Sequence, residues 1–172
     1  SSRRRHTRSR LLSRGLGDVY KRQVGVFVNE EADRVNEIAG ACGLDFVQLH
    51  GQESLDYISK IHTPVWKTIA VKNEDSLKAV EEYKERVAGI LFETYHEKLA
   101  GGTGQKFDWS LMDRVKKEES YLRILAGGIN PANAKEEVDK VKPDILDVNS
   151  GLEVDGYKTM ETVNQLFKEL KI

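Results

Sequence analysis

From Val24 onward, short apolar runs alternate with longer amphipathic stretches. "VGVFV" (24–28) carries no charge and is rich in valine, so it reads as a buried strand. "EEADRVNEIAGACG" (30–43) follows at helical spacing, with Val35, Ile38, Ala39 and Cys42 on the inward face. The same alternation predicts strands over 44–50, 64–71, 88–94, 121–128 and 143–151. It predicts helices over 53–61, 73–87, 108–117, 131–141 and 158–170. Asn73 is placed to cap the third helix, and Pro131 stands in the first turn of the helix over 131–141.

Six strand–helix units of this kind imply parallel pairing, because a parallel crossover needs a connection of helix length. Two architectures compete, the doubly wound sheet and the (β/α)8 barrel. A doubly wound nucleotide binder would show G-x-G-x-x-G after its first strand, and "VGVFVNEE" does not. Polar and glycine-rich positions follow strand after strand instead: Gln48 and His50, Glu93, Gly127 and Gly128, and Asp147 to Gly151. Such decoration of strand ends suits the active face of a barrel, so the α/β barrel is the expected fold, at six units where eight are needed.

Composition separates the first 23 residues from the rest. The segment 1–23 holds seven Arg, one Lys and one Asp, a net charge of +7, which leaves −1 − 7 = −8 for residues 24–172. The acidic body speaks against nucleic acid, and no run approaches the roughly 18 apolar residues of a membrane span. The leader lacks the apolar region of a secretory signal and is read as a non-native or disordered segment, resembling translated assembly debris. The partial barrel domain is therefore expected over 24–172. With Cys42 as the single cysteine, no internal disulfide can form, which fits a reducing, cytoplasmic setting. Cys42 itself is expected to be a small buried hydrophobe.

The glycine-rich segment "AGGTGQKFDWS" (100–110) has no G-x-x-x-x-G-K-[ST] pattern and is not a P-loop. "LAGGIN" (125–130) and "DVNSG" (147–151) are better phosphate candidates, since each ends a strand and brings backbone amides close to a ligand. Gly127, Gly128, Ser150 and Gly151 form the expected grip, beside Asn149 and Asp147. Glu93 closes the apolar run "GILFE", where a carboxylate is costly unless solvated or paired, and it is an acid–base candidate, with Asp147 and His50 as further strand-end candidates. Asp108 reads by default as a helix cap. No metal-ligand spacing or Ser-His-Asp arrangement emerges, so no metal site is expected.

Five segments, "VGVFVNE", "LDFVQLHGQES", "AGGTGQKFDWS", "LAGGINPANA" and "DVNSGLE", together resemble the phosphoribosylanthranilate isomerase family of tryptophan biosynthesis, from about Val24 to the C-terminus. The resemblance implies a (β/α)8 barrel and a cofactor-free Amadori rearrangement of N-(5-phospho-β-D-ribosyl)anthranilate. A general acid protonates the ribose ring oxygen, the ring opens to a Schiff base, and a general base removes the C2 proton. The product is an aminodeoxyribulose phosphate. The family's acid is an aspartate where this chain has Glu93, one methylene longer. The phosphate grip falls on Gly127, Gly128, Ser150 and Gly151, with Asp147 beside it and Gln48 and His50 as further substrate contacts. The family's K-I-C-G strand, whose cysteine is the base, has no counterpart here. The expectation is thus a chain lacking the first two units and the general base, weak in activity alone, with open sheet edges that invite self-association.

Two rivals stand beside this reading. Another ribulose-phosphate-type barrel, such as indole-glycerol-phosphate synthase, would need a strand lysine, and Lys67 is the available one. A non-catalytic phosphate-binding module would need no acid or base, and the basic leader would be its nucleic-acid arm.

Overall fold

The computed structural model describes residues 21–94, 111–112, 115 and 120–171. The chain divides into two compact units, Ser1–Val65 and Trp66–Ile172.

In the first unit, strand β1 (Val24–Phe27) runs parallel to β2 (Phe46–Leu49), with Val24 opposite Phe46 and Phe27 opposite Leu49. Helix α1 (Ala32–Cys42) makes the crossover and buries Val35 and Ala39, one turn apart. It stops at Gly43, whose φ of 64° is the left-handed conformation that glycine adopts without strain. Ile38 is half-buried and Cys42 is exposed, so the expectation of a buried thiol is corrected. Cys42 is the last residue of the helix, and the chain turns away from it at Gly43.

The helix expected over 53–61 is only one turn, α2 (Leu55–Ile58), capped by Ser54, whose Oγ accepts from the Tyr57 N–H at 3.2 Å. Beyond Ser59 the bonding tightens to the i→i−3 type, with Lys60 N–H donating to Tyr57 C=O and Ile61 N–H to Ile58 C=O. At its start, Glu53 is 4% exposed and its carboxylate is held by loop amides, which keeps it out of the helix.

In the second unit, β3 (Val65–Val71, entering at its second residue Trp66), β4 (Gly89–Thr94), β5 (Leu122–Ala126) and β6 (Ile145–Leu146) pair in parallel in chain order. Their core is a continuous apolar run rather than an alternating one: Ile90, Leu91, Phe92, Ile124 and Leu125 are all essentially inaccessible. This is the pattern of a parallel sheet covered on both faces. Gly89 leaves room for the Trp66 indole, which a Cβ would meet at 2.9 Å.

The helix expected over 73–87 begins as a 3₁₀ turn (Glu74–Leu77) and continues as α3 (Lys78–Tyr83). Asn73 caps it as expected, in a reciprocal box with Ser76. Helix α4 (Ala134–Val141) buries Ala134, Glu137 and Val141, and α5 (Met160–Leu170) starts at Thr159, whose Oγ1 accepts from the Thr162 N–H at 3.2 Å. Between β6 and α5 lies a hairpin that the periodicity does not reveal, β7 (Glu153–Val154) and β8 (Tyr157–Lys158). Its turn residues Asp155 and Gly156 both have positive φ, the signature of a D-G hairpin turn. The expected strand over 143–151 is correspondingly short. The segment 100–110, Asp108 and most of the helix expected over 108–117 lie outside the described residues.

Candidate active site

The C-terminal ends of β4, β5 and β6 gather most of the expected site residues in the second unit. Glu93 pairs in register with Ala126, so its half-buried side chain stands one residue short of Gly127. Gly127 and Gly128 have φ of 83° and 69°, a conformation that side-chain-bearing residues rarely adopt. The turn after them is held by two asparagines. Asn130 N–H donates to Asn133 Oδ1 at 2.8 Å, and the two side-chain amides donate to Gly128 C=O at 3.2 and 3.0 Å. Asn130 Oδ1 accepts from Ala132 N–H at 2.9 Å, and its carbonyl accepts from Asn133 and Ala134. Asn130 therefore caps a helical turn in which Pro131 holds the first position, as its sequence context suggests.

The neighbouring loop after β6 is built against this one. Asp147 N–H donates to Leu125 C=O at 2.8 Å, which aligns the two strand ends, and the Asp147 side chain is exposed. Ser150 and Gly151 open a 3₁₀ turn (Ser150–Leu152). Gly151 has no positive φ among its reasons for being glycine. Instead, a Cβ there would run into the Ile129 carbonyl and stand 3.0 Å from Asn130 Cα. The two glycine loops thus touch backbone to backbone. Asn149 Oδ1 accepts from Lys158 Nζ at 2.6 Å, and the same ammonium pairs with Glu153 at 2.9 Å. Lys158 thereby ties the hairpin to the loop after β6. Periodicity misses it because the hairpin that carries it folds back from β7.

In the first unit, Gln48 is buried and His50 is exposed two residues on, at the end of β2. Gln48 Nε2 lies 3.4 Å from His50 Nδ1. With the amide nitrogen as donor, Nδ1 is the acceptor of this contact, the arrangement of a ring whose proton is on Nε2. Sequence reasoning also misses Glu53. Its Oε1 accepts from Asn29 N–H at 2.9 Å and Gly51 N–H at 3.1 Å. The signal for it, a carboxylate directly before a helix cap, is indistinguishable from an ordinary first-turn acid.

Lys67 is 3% exposed, with its ammonium over the Tyr83 ring at 5.8 Å and 3.4 Å from Thr68 C=O. Its ammonium thus lies against Tyr83 of α3. Among the described residues there is no group of three His, Cys, Asp or Glu side chains able to hold a metal. Among them, too, no helix is long and apolar enough to cross a membrane.

Comparison with known proteins gives one consistent result. The family model for N-(5'-phosphoribosyl)anthranilate (PRA) isomerase matches residues 2–169. That span takes in most of the basic leader as well as the body. The isomerase of Acetivibrio thermocellus is 39% identical over 173 residues, covering 95% of this chain and 78% of its own length. That of Bacillus cereus strain G9842 is 38% identical over 149 residues, 87% of this chain and 72% of its own. Among solved structures, phosphoribosyl anthranilate isomerase from Thermotoga maritima superposes with a TM-score of 0.77 at 33% identity, over 89% of this chain and 74% of that one. A structure of the isomerase in complex with reduced 1-(o-carboxyphenylamino)-1-deoxyribulose 5-phosphate gives 0.74 at 32% identity, over 89% and 73%. The α/β arrangement of parallel strands and helices is that of these enzymes.

Proposed function

Because this chain belongs to the phosphoribosylanthranilate isomerase family of tryptophan biosynthesis, we propose that its second unit binds the phosphate of N-(5-phosphoribosyl)anthranilate and delivers a proton to the ribose ring oxygen. The phosphate would rest against the backbone of Gly127, Gly128, Ser150 and Gly151. Glu93 is the general acid, and Asp147 positions the sugar. Protonation breaks the bond between the ring oxygen and the anomeric carbon and leaves a Schiff base. Loss of the C2 proton then yields the enol that tautomerises to the ketose. Gln48 and His50, at the end of β2, are the first unit's own candidates for polar contact with a substrate. In this reading the six strand–helix units are part of a (β/α)8 barrel, in keeping with the 74% of the Thermotoga maritima chain that they match.

The observation that supports the assignment is the register of Glu93 with Ala126, beside a cradle whose loops are packed backbone to backbone. The carboxyl of Glu93 extends one methylene beyond that of the family's aspartate. A displacement of about 1 Å can cost on the order of 100-fold in rate. Glu93→Asp is therefore expected to raise turnover, and Glu93→Gln to abolish it.

The test has two readouts. Calorimetric titration of the full chain with reduced 1-(o-carboxyphenylamino)-1-deoxyribulose 5-phosphate should show saturable binding, competed by inorganic phosphate. A flat titration refutes the proposal. A measurable turnover of the unsubstituted chain that Glu93→Gln leaves unchanged refutes the acid assignment alone. The K-I-C-G motif that supplies the family's base is not found in the 172 residues. Turnover by this chain alone is accordingly expected to be too low to support a tryptophan auxotroph, and growth would overturn that expectation.

A further inference from the structure

Two turns in the first unit are tied together by groups that the reaction scheme does not use. Glu53 is 4% exposed, yet its Oε1 receives two backbone amides, from Asn29 at 2.9 Å and Gly51 at 3.1 Å. Asn29 completes the tie from the other side, since its Oδ1 accepts from Gln52 N–H at 2.8 Å. To do so it holds a left-handed backbone, with φ of 50°. Gly51 lies inside this arrangement: a Cβ there would meet Glu53 Oε1 at 2.6 Å. The turn after β1 and the turn after β2 are thus joined by two hydrogen bonds, and a third, from Gly51 N–H to Glu53, closes the second turn on the same carboxylate. His50 sits immediately before the clamped glycine, with its own N–H on Phe27 C=O at 2.9 Å.

Burying a carboxylate is costly unless hydrogen bonds replace its hydration. A clamp of this kind around an exposed imidazole is more than a turn requires, because a turn can be closed by backbone bonds alone. We infer that Glu53 is a positioning residue: with Asn29 it fixes the His50–Gly51 turn, and so holds the His50 ring against Gln48 with its Nε2–H directed outward as a donor. The role as donor to substrate rests on the proposed function of His50 as a substrate contact. The positioning itself does not.

The experiment uses the full chain with ¹⁵N-labelled histidine, and reads ring nitrogens in long-range ¹H–¹⁵N spectra. The His50 signal is identified by its loss in His50→Gln. The unsubstituted chain should show a single tautomer, protonated on Nε2. In Glu53→Ala that signature should be lost toward the averaged shifts of a free imidazole. In Glu53→Gln, whose amide oxygen can still accept, it should return. Asn29→Gly, which keeps the left-handed backbone and removes only the Oδ1 acceptor, should loosen it as well, and decides the matter if Glu53→Ala does not fold. The methyl signals of Val35, Val47 and Leu49, all at 0% exposure, report whether the fold persists.

An unchanged His50 signal in both Glu53→Ala and Asn29→Gly overturns the inference. So does a change that occurs only when the core methyls shift with it, since Glu53 would then merely hold the fold. Affinity for the reduced product analogue should fall on the order of tenfold or more in Glu53→Ala and recover in Glu53→Gln. If the unsubstituted chain binds no analogue, the substrate reading fails while the nitrogen shifts still decide the positioning.

Discussion

Replacing Gly151 by alanine tests the packed glycine loops most directly. The added methyl has no room. It would collide with the Ile129 carbonyl oxygen, and stand 2.8 Å from that carbonyl's carbon and 3.0 Å from Asn130 Cα. Ordinary carbon–carbon contacts are about 3.5–4.0 Å, so the loops must part by roughly 1 Å. The obstacle is backbone, which cannot rotate aside as a side chain would. Ile129 is 2% exposed and held in the core, so the strain passes into packed structure.

Overpacking of this kind costs about 1–3 kcal/mol. For a chain of this length, each kcal/mol lowers the melting temperature by about 2–4 °C. The same displacement, by costing at least one hydrogen bond to a charged ligand, should weaken phosphate binding on the order of tenfold or more. Thermal unfolding followed by circular dichroism reads the first effect, and calorimetric competition with inorganic phosphate reads the second. Gly40→Ala is the control. Gly40 lies within α1, and a Cβ there meets nothing within 4 Å. That change should stabilise by about 0.5–1 kcal/mol. If Gly151→Ala melts and binds like the unsubstituted chain, the two loops are not in contact and there is no paired cradle.

Arg123 is 6% exposed, and its guanidinium donates to Val141 C=O at 3.0 Å and to Val115 C=O. Arg123→Met keeps the stem and strands both carbonyls, so urea denaturation should show a loss of about 1.5–3 kcal/mol. Tyr57 donates its hydroxyl to Glu30 C=O at 2.7 Å, and Tyr57→Phe should cost about 1 kcal/mol near neutral pH. Burial, and then Glu53, Glu30 and Glu31, raise the Tyr57 pKa above its ordinary value. The folded state therefore holds that proton more tightly than the unfolded chain. Its stabilising effect is complete below a pH of about 10 and is lost as pH rises past that point. Tyr57→Phe should remove this alkaline decline, which stability measurements across that range will show.

The order of strands and helices, and the glycines and carboxylate at strand ends, are legible in the sequence because they are local. A valine-rich run, a 3.6-residue stripe and a glycine after a strand each state their preference within a few residues. Asn73 and Pro131 announce helix starts for the same reason. Signals of this local kind are enough to mark Glu93, Gly127, Gly128 and Asp147 as strand-end groups.

What tertiary structure decided involves residues far apart in the chain. Residues 53–61 have a helical stripe, yet only Leu55–Ile58 form an α-turn, because Glu53 is bound to amides up to 24 positions away. Cys42 lies on an apolar stripe but is exposed, because the helix ends on it. The periodicity of α1 contains no notice of that ending's surroundings. Gly151 has an ordinary turn glycine's sequence context, and only the approach of the Ile129 backbone explains it. Periodicity records which face of an element is apolar. Which backbone comes against which is settled by the packing of elements that the sequence keeps 20 or more residues apart, and there the hydrogen bonds and close approaches of the candidate site are made.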